Sequence, residues 1–169
     1  LYMKYRIPFA KIDTKHNEFE YVQKVLNSGW LTTGSVAKEF EDNFSKFIGC
    51  KYSLTVNSCT AALHLALEAI SIKKDDKVIV PSLTFTASAE VVRYFQADPV
   101  IVDVDYNTCL ITPKIIEETI KRHKNIKAVI VVHFGGHPAL MTSNNNQQGI
   151  VDICKSNNIT IIEDAAHAF

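Results

Sequence analysis

Three short stretches of this chain collect residue types that can do chemistry. Asn57-Ser58-Cys59-Thr60 leads directly into Ala61-Ala62-Leu63-His64-Leu65-Ala66-Leu67, a polar tetrapeptide followed by an apolar, helix-forming run. At a helix N-terminus the first backbone N–H groups lack partners and the dipole is positive, so Ser58, the Cys59 amide and Thr60 could hold an anion such as a phosphate. Ordinary N-capping by Ser or Thr explains the same residues. Glu163-Asp164 closes a second apolar run and is followed by Ala165-Ala166-His167. Alternation sends the two carboxylates to opposite faces. A buried Asp164 needs a partner, because an unpaired carboxylate out of water is costly; a protonated heterocyclic nitrogen and a capping role both meet that need. In the third stretch, His133-Phe134-Gly135-Gly136-His137, the two glycines argue for a loop and against the one-face spacing of a helical metal pair. A metal hydrolase using His133, His137 and His167 is therefore the weaker reading. Phe85, just past another apolar run, is by itself more often a core residue than a platform for a ligand.

The elements that must position these residues alternate along the chain. Segments 53–57, 77–81, 99–103, 128–133 and 159–163 are short and rich in Val and Ile, and most lack polar alternation, which predicts strands covered on both faces. Between them, segments 16–27, 36–47, 60–70, 86–95, 113–121 and 150–156 carry helical patterns. Asp13 or Thr14 is the expected cap of the first helix, Asn27-Ser28-Gly29 its stop, and Pro113 after Thr112 a first-turn proline. The helix from Thr60 is apolar on nearly every face and is expected to lie buried. This order predicts a three-layer α/β/α fold with a mainly parallel sheet, whose strand ends on one edge carry the polar residues. The tract Ser143-Asn144-Asn145-Asn146-Gln147-Gln148-Gly149 reads as a mobile surface insertion.

Composition excludes several classes. With 169 residues, 47% hydrophobic and 21% charged, the chain is an ordinary globular sequence rather than a disordered one. Lys and Arg balance Asp and Glu at 18 each, so no global field gathers nucleic acid or anionic lipid. The longest purely apolar run is far too short to cross a membrane, and the first ten residues lack a signal-peptide core; a cytoplasmic protein is expected. Cys50, Cys59, Cys109 and Cys154 form no Cys-x-x-Cys pair and read as buried hydrophobes or idle thiols. Neither a P-loop nor a Gly-x-Gly-x-x-Gly fingerprint is present.

Taken in order, the segments resemble the DegT/DnrJ/EryC1/StrS family of pyridoxal-phosphate-dependent sugar aminotransferases from Ile7 to Phe169. The matching stretches are Ile7-Pro8-Phe9, Ser28-Gly29-Trp30-Leu31-Thr32-Thr33-Gly34, Glu39-Phe40-Glu41, Asn57 to His64, Asp76 to Ser82, Thr84-Phe85, Val102 to Asp105 and Glu163 to Ala168. The resemblance implies the large domain of a fold-type-I enzyme, with residues 1–169 as its N-terminal portion and the C-terminal small domain absent. It also implies that Ser58, Cys59 and Thr60 hold the cofactor phosphate, Phe85 stacks on the pyridine ring, Asp164 pairs with the ring nitrogen and His167 contacts the ring hydroxyl. Thr32 and Thr33, in the Gly29 to Gly34 turn, would lie near the substrate sugar.

Two departures accompany the match. Cys59 stands where Gly or Ala is frequent, which changes little where only its amide is used, and Pro138-Ala139-Leu140-Met141 lacks the usual Asp. The family's Schiff-base lysine follows the Glu-Asp motif by a short stretch that would lie beyond Phe169, so no catalytic residue is assigned and residues 1–169 alone are expected to be inactive. The implied activity is amino-group transfer from an amino-acid donor, glutamate foremost, to a keto group of a nucleotide-linked deoxysugar, by a homodimer. The alternative is a truncated or non-catalytic relative that binds cofactor or a partner chain without turnover.

Overall fold

The computed structural model describes residues 11–168; the Ile7-Pro8-Phe9 match and Phe169 lie outside the described residues. The chain divides into two compact units, Leu1–Thr55 and Val56–Phe169.

The first unit contains two amphipathic helices, α1 (Glu18–Ser28) and α2 (Ser35–Ile48). Helix α1 starts later than Asp13 or Thr14 would have it. Asn17 stands at its N-cap, Glu18 and Glu20 lie in its first turn, and the His16 N–H donates to Glu18 Oε2 at 3.0 Å, so acidic residues rather than an upstream cap satisfy the positive end. Gly29 ends the helix at φ 69°, as the Asn-Ser-Gly stop predicts. The strand expected at 53–57 does not form. Its polar groups turn to α2 instead: the Thr55 N–H and Oγ1 both donate to Glu41 Oε1, at 2.9 and 2.8 Å, and Ser53 Oγ donates to the Glu41 carbonyl. The two Thr55 bonds, the backbone one foremost, also hold the Glu41 carboxyl below its ordinary range. Backbone and side-chain groups committed in this way are not offered to a strand partner.

The second unit is built on a four-stranded parallel sheet in the order β2-β1-β3-β4, with β1 at Lys77–Pro81, β2 at Asp98–Val102, β3 at Ile126–Val132 and β4 at Thr160–Asp164. Period-two alternation splits its core into two layers. Val78, Val80, Ala128, Ile130, Val132 and Ile162 face one side, where Leu63 and Leu67 of α3 (Cys59–Ala69) and Val91 and Val92 of α4 (Ala87–Tyr94) pack on them. Ile79, Val129 and Val131 face the other side, against Ile116 of α5 (Pro113–Arg122) and Ile150, Ile153 and Cys154 of α6 (Ile150–Ser156). This is the three-layer α/β/α arrangement that the alternation predicts, and burial of each such Val or Ile contributes about 1.5–3 kcal/mol. Thr112 caps α5 by accepting the Ile115 N–H, with Pro113 in the first turn.

One expectation is corrected. Helix α3 is not buried all round: Leu63 and Leu67 are, whereas Leu65 is 44% exposed, because the sheet offers it one face. The Asn/Gln tract lies at the surface, as expected, and carries hydrogen bonds of its own. Asn144 Oδ1 accepts the Asn146 and Gln147 N–H groups, at 3.0 and 2.9 Å, an Asx-type turn, and Ser143 Oγ accepts the Gly149 N–H and donates to Asp152.

Candidate functional site

Because all four strands run parallel, their carboxyl ends share one edge, where ligands of such sheets bind. Helix α3 begins there. Ser58 is its N-cap, and its Oγ accepts the Ala61 N–H at 3.2 Å, while the Ser58 carbonyl accepts the Ala62 N–H. The capping role is thus realised by Ser58. Among the described residues no group accepts the Cys59 or Thr60 N–H, so two donors remain at the positive end of the helix.

Asp164 closes β4 and is buried, 8% exposed, whereas its neighbour Glu163 faces out, as alternation predicts. Oδ1 of Asp164 accepts the Ala166 N–H at 3.2 Å and the Cys59 thiol at 3.5 Å. Both donors are neutral, and among the described residues no cation pairs with this carboxylate. Desolvation, followed by the charge and hydrogen bond of Asp164, holds the Cys59 thiol above its ordinary range, which keeps it a donor. The 3.5 Å contact brings Cys59, at the start of α3, beside Asp164 across 105 residues of sequence.

His133, after β3, is 6% exposed. Its Nδ1 accepts the Ala139 N–H at 3.1 Å, which places the proton on Nε2, and Nε2 donates to Glu163 Oε2 at 3.0 Å. Both ring nitrogens are therefore committed, and the metal reading loses its central ligand. Among the described residues no group of three or more His, Cys, Asp and Glu side chains could hold a metal ion. His167 Nδ1 accepts the Gly135 N–H at 3.3 Å, so its neutral ring carries the proton on Nε2. Phe134 meets this ring edge-on at 6.1 Å between centroids.

Phe85 follows β1 and is 75% exposed, a position no core role explains. In the first unit, Thr32 and Thr33 line a cleft of about 450 Å³ together with Lys24, Ser28, Trp30 and Gly34. Trp30 Nε1 donates to the Thr33 carbonyl at 2.9 Å, and a Cβ on Gly34 would lie 2.8 Å from the indole, so a side chain there would have to displace the ring. The second unit's larger cleft, about 830 Å³ between the Asp105 turn, the start of α5 and residues 137–142, contains none of the residues singled out above as cofactor contacts.

Sequence reasoning missed two features. The Cys59 side chain is engaged, not only its amide, and nothing in the spacing signals this. The His133–Glu163 pair could have been read from a His and a Glu at the ends of two apolar strands, provided those strands were taken as neighbours.

The model of the DegT/DnrJ/EryC1/StrS aminotransferase family matches residues 12–169. Among solved structures, the aminotransferase from Psychrobacter cryohalolentis is 33% identical with a TM-score of 0.83, over 96% of this chain and 39% of that one. DesV of S. venezuelae is 32% identical with a TM-score of 0.80, over 89% and 39%. NtdA from Bacillus subtilis, solved with bound cofactor PMP, is 28% identical with a TM-score of 0.74, over 87% and 32%. The chain thus spans about two-fifths or less of the length of these relatives.

Proposed function

Because the chain belongs to the DegT/DnrJ/EryC1/StrS aminotransferase family, we propose that its protein transfers an amino group from an amino-acid donor, glutamate foremost, to a keto group of a nucleotide-linked deoxysugar. The cofactor is pyridoxal phosphate, in keeping with the family and with the PMP of the Bacillus subtilis relative. It supplies the electron sink that amino-group transfer requires. The observation that carries the reading is the Cys59–Asp164 contact, which sets an anion-binding helix end beside a buried carboxylate that has only neutral donors.

The donor set fits this group. The Cys59 and Thr60 N–H groups, with the Thr60 hydroxyl, bind the phosphate at the positive end of α3, and Ser58 joins them once its hydroxyl turns from Asn57 Oδ1, to which it donates at 3.3 Å. Asp164 holds the proton on the ring nitrogen, which satisfies its own buried charge and keeps the ring electron-withdrawing. His167, with its proton on Nε2, donates to the ring hydroxyl oxygen. Phe85, exposed after β1, stacks on the ring face. Thr32 and Thr33 offer hydroxyls to the sugar in the first unit's cleft. A homodimer completes the assembly, and light scattering across a wide concentration range would show a monomer if this part of the reading is wrong.

The test is Asp164→Asn in the full-length protein, assayed for transamination and for equilibrium binding of pyridoxamine phosphate. Loss of the charge should reduce transamination by at least about 100-fold, equivalent to roughly 2.7 kcal/mol of barrier, and weaken phosphate-anchored binding much less. Equal losses in both assays would refute the assigned role.

A further inference from the structure

The side chain of Cys59 lies at a junction that the functional reading leaves unused. Its backbone N–H sits in the first turn of α3, among the donors at the positive helix end, while its thiol reaches Asp164 Oδ1 at 3.5 Å. One residue therefore touches both ends of the candidate cofactor site. Asp164 receives its two side-chain hydrogen bonds on the same oxygen, from Cys59 and from the Ala166 N–H. Among the described residues nothing donates to Oδ2. Two donors on Oδ1 fix the rotation of the carboxylate about its Cβ–Cγ bond and present Oδ2 to an incoming N–H.

We propose that Cys59 is a positioning residue for Asp164: its thiol pins Oδ1, so that Oδ2 is pre-aimed at the nitrogen of a bound heterocycle, and its place at the start of α3 couples that aim to the seat of the phosphate. The inference rests on the cofactor reading above and deepens it. A Gly or Ala at this position keeps the amide but leaves Oδ1 with the Ala166 N–H alone. Neutrality of the donor matters, because an ammonium or guanidinium in its place would compete with the ring nitrogen for the carboxylate's charge. The elevated proton affinity of the thiol is consistent with this, since burial and the adjacent carboxylate both favour S–H over thiolate.

Two measurements on the full-length protein test the proposal. The first needs no cofactor. Thiolate ultraviolet absorbance is followed against pH in the wild type and in Asp164→Asn, each corrected by its Cys59→Ala counterpart. The Cys59 midpoint should fall toward the ordinary thiol range when Asp164 loses its charge; an unchanged midpoint shows that the two groups do not interact and overturns the proposal. The second is equilibrium binding of pyridoxamine phosphate. Cys59→Ala should weaken it by about 2- to 10-fold, the worth of one hydrogen bond, and Cys59→Ser should recover most of that loss. In an Asp164→Asn background the same Cys59→Ala change should cost nothing further, which a general packing defect would not reproduce. Equal affinity of wild type and Cys59→Ala overturns the positioning role and leaves the aminotransferase reading standing. A wild type that titrates as expected but does not bind pyridoxamine phosphate overturns the cofactor reading, and the positioning role with it.

Discussion

His133 shows how a ring with both nitrogens spoken for acts as a strut between segments. It joins the 139 backbone to the end of β4 through Glu163. His133→Ala removes the acceptor of the Ala139 N–H, a group at a buried residue, and should destabilise the fold by about 1–3 kcal/mol in urea unfolding. Glu163→Gln, at an exposed side chain that keeps an acceptor, should cost less than about 1 kcal/mol. Cys154 gives a pH-dependent counterpart. Burial pushes its thiol up to about 11, so the unfolded chain ionises first; stability is fully present below about pH 9 and is lost as pH rises toward 11. The loss should reach about 2–3 kcal/mol at most, and Cys154→Ala should flatten that slope while lowering stability at neutral pH. Of these residue-scale features, the burial of Asp164 and the outward turn of Glu163 were legible in the sequence, because alternation at a strand end dictates them. The Cys59 contact was not, since its partner lies 105 positions away and only the packing of α3 on β4 brings them together.

Among the elements, the glycine turn after β3 is constrained by two glycines in succession. Gly135 and Gly136 both have positive φ, 63° and 82°, but their surroundings differ. A Cβ on Gly135 meets nothing within 4 Å, whereas one on Gly136 would lie 2.7 Å from the His167 carbonyl oxygen. Gly135→Ala should therefore cost only the conformational penalty of about 1–2 kcal/mol. Gly136→Ala must also push back the segment that carries His167, and should weaken pyridoxamine phosphate binding in the full-length protein where Gly135→Ala leaves it unchanged. Equal binding by the two variants would sever His167 from the site. The second unit's four strands were readable because each carries a short Val- and Ile-rich run, although only the central β1 and β3 are covered on both faces, and the edge strand β2 leaves Ile101 54% exposed. Segment 53–57 has the same look and fails as a strand, because Glu41 takes its polar groups, a tertiary competition that no local pattern records. The α3 helix misled in the opposite direction: its composition promised burial on all sides, but a sheet face covers one stripe.

At the scale of the whole molecule, the sheet separates two apolar layers that share no side chain. Ile130→Val in one layer and Ile116→Val in the other should each cost about 0.5–1.5 kcal/mol, and the double variant should equal their sum within about 0.5 kcal/mol in equilibrium unfolding. A larger discrepancy would mean that the sheet transmits strain between its faces. Among the described residues no helix is long and apolar enough to cross a membrane. Division into two units has one more consequence. The chain contains a single tryptophan, and Trp30 sits in the first unit, its indole braced against Gly34 and bonded to the Thr33 carbonyl within the cleft that Thr32 and Thr33 line. Intrinsic indole emission from this chain is therefore a one-site optical probe: it reports the environment of the threonine turn directly, and a sugar nucleotide settling beside Thr32 and Thr33 would announce itself in that light.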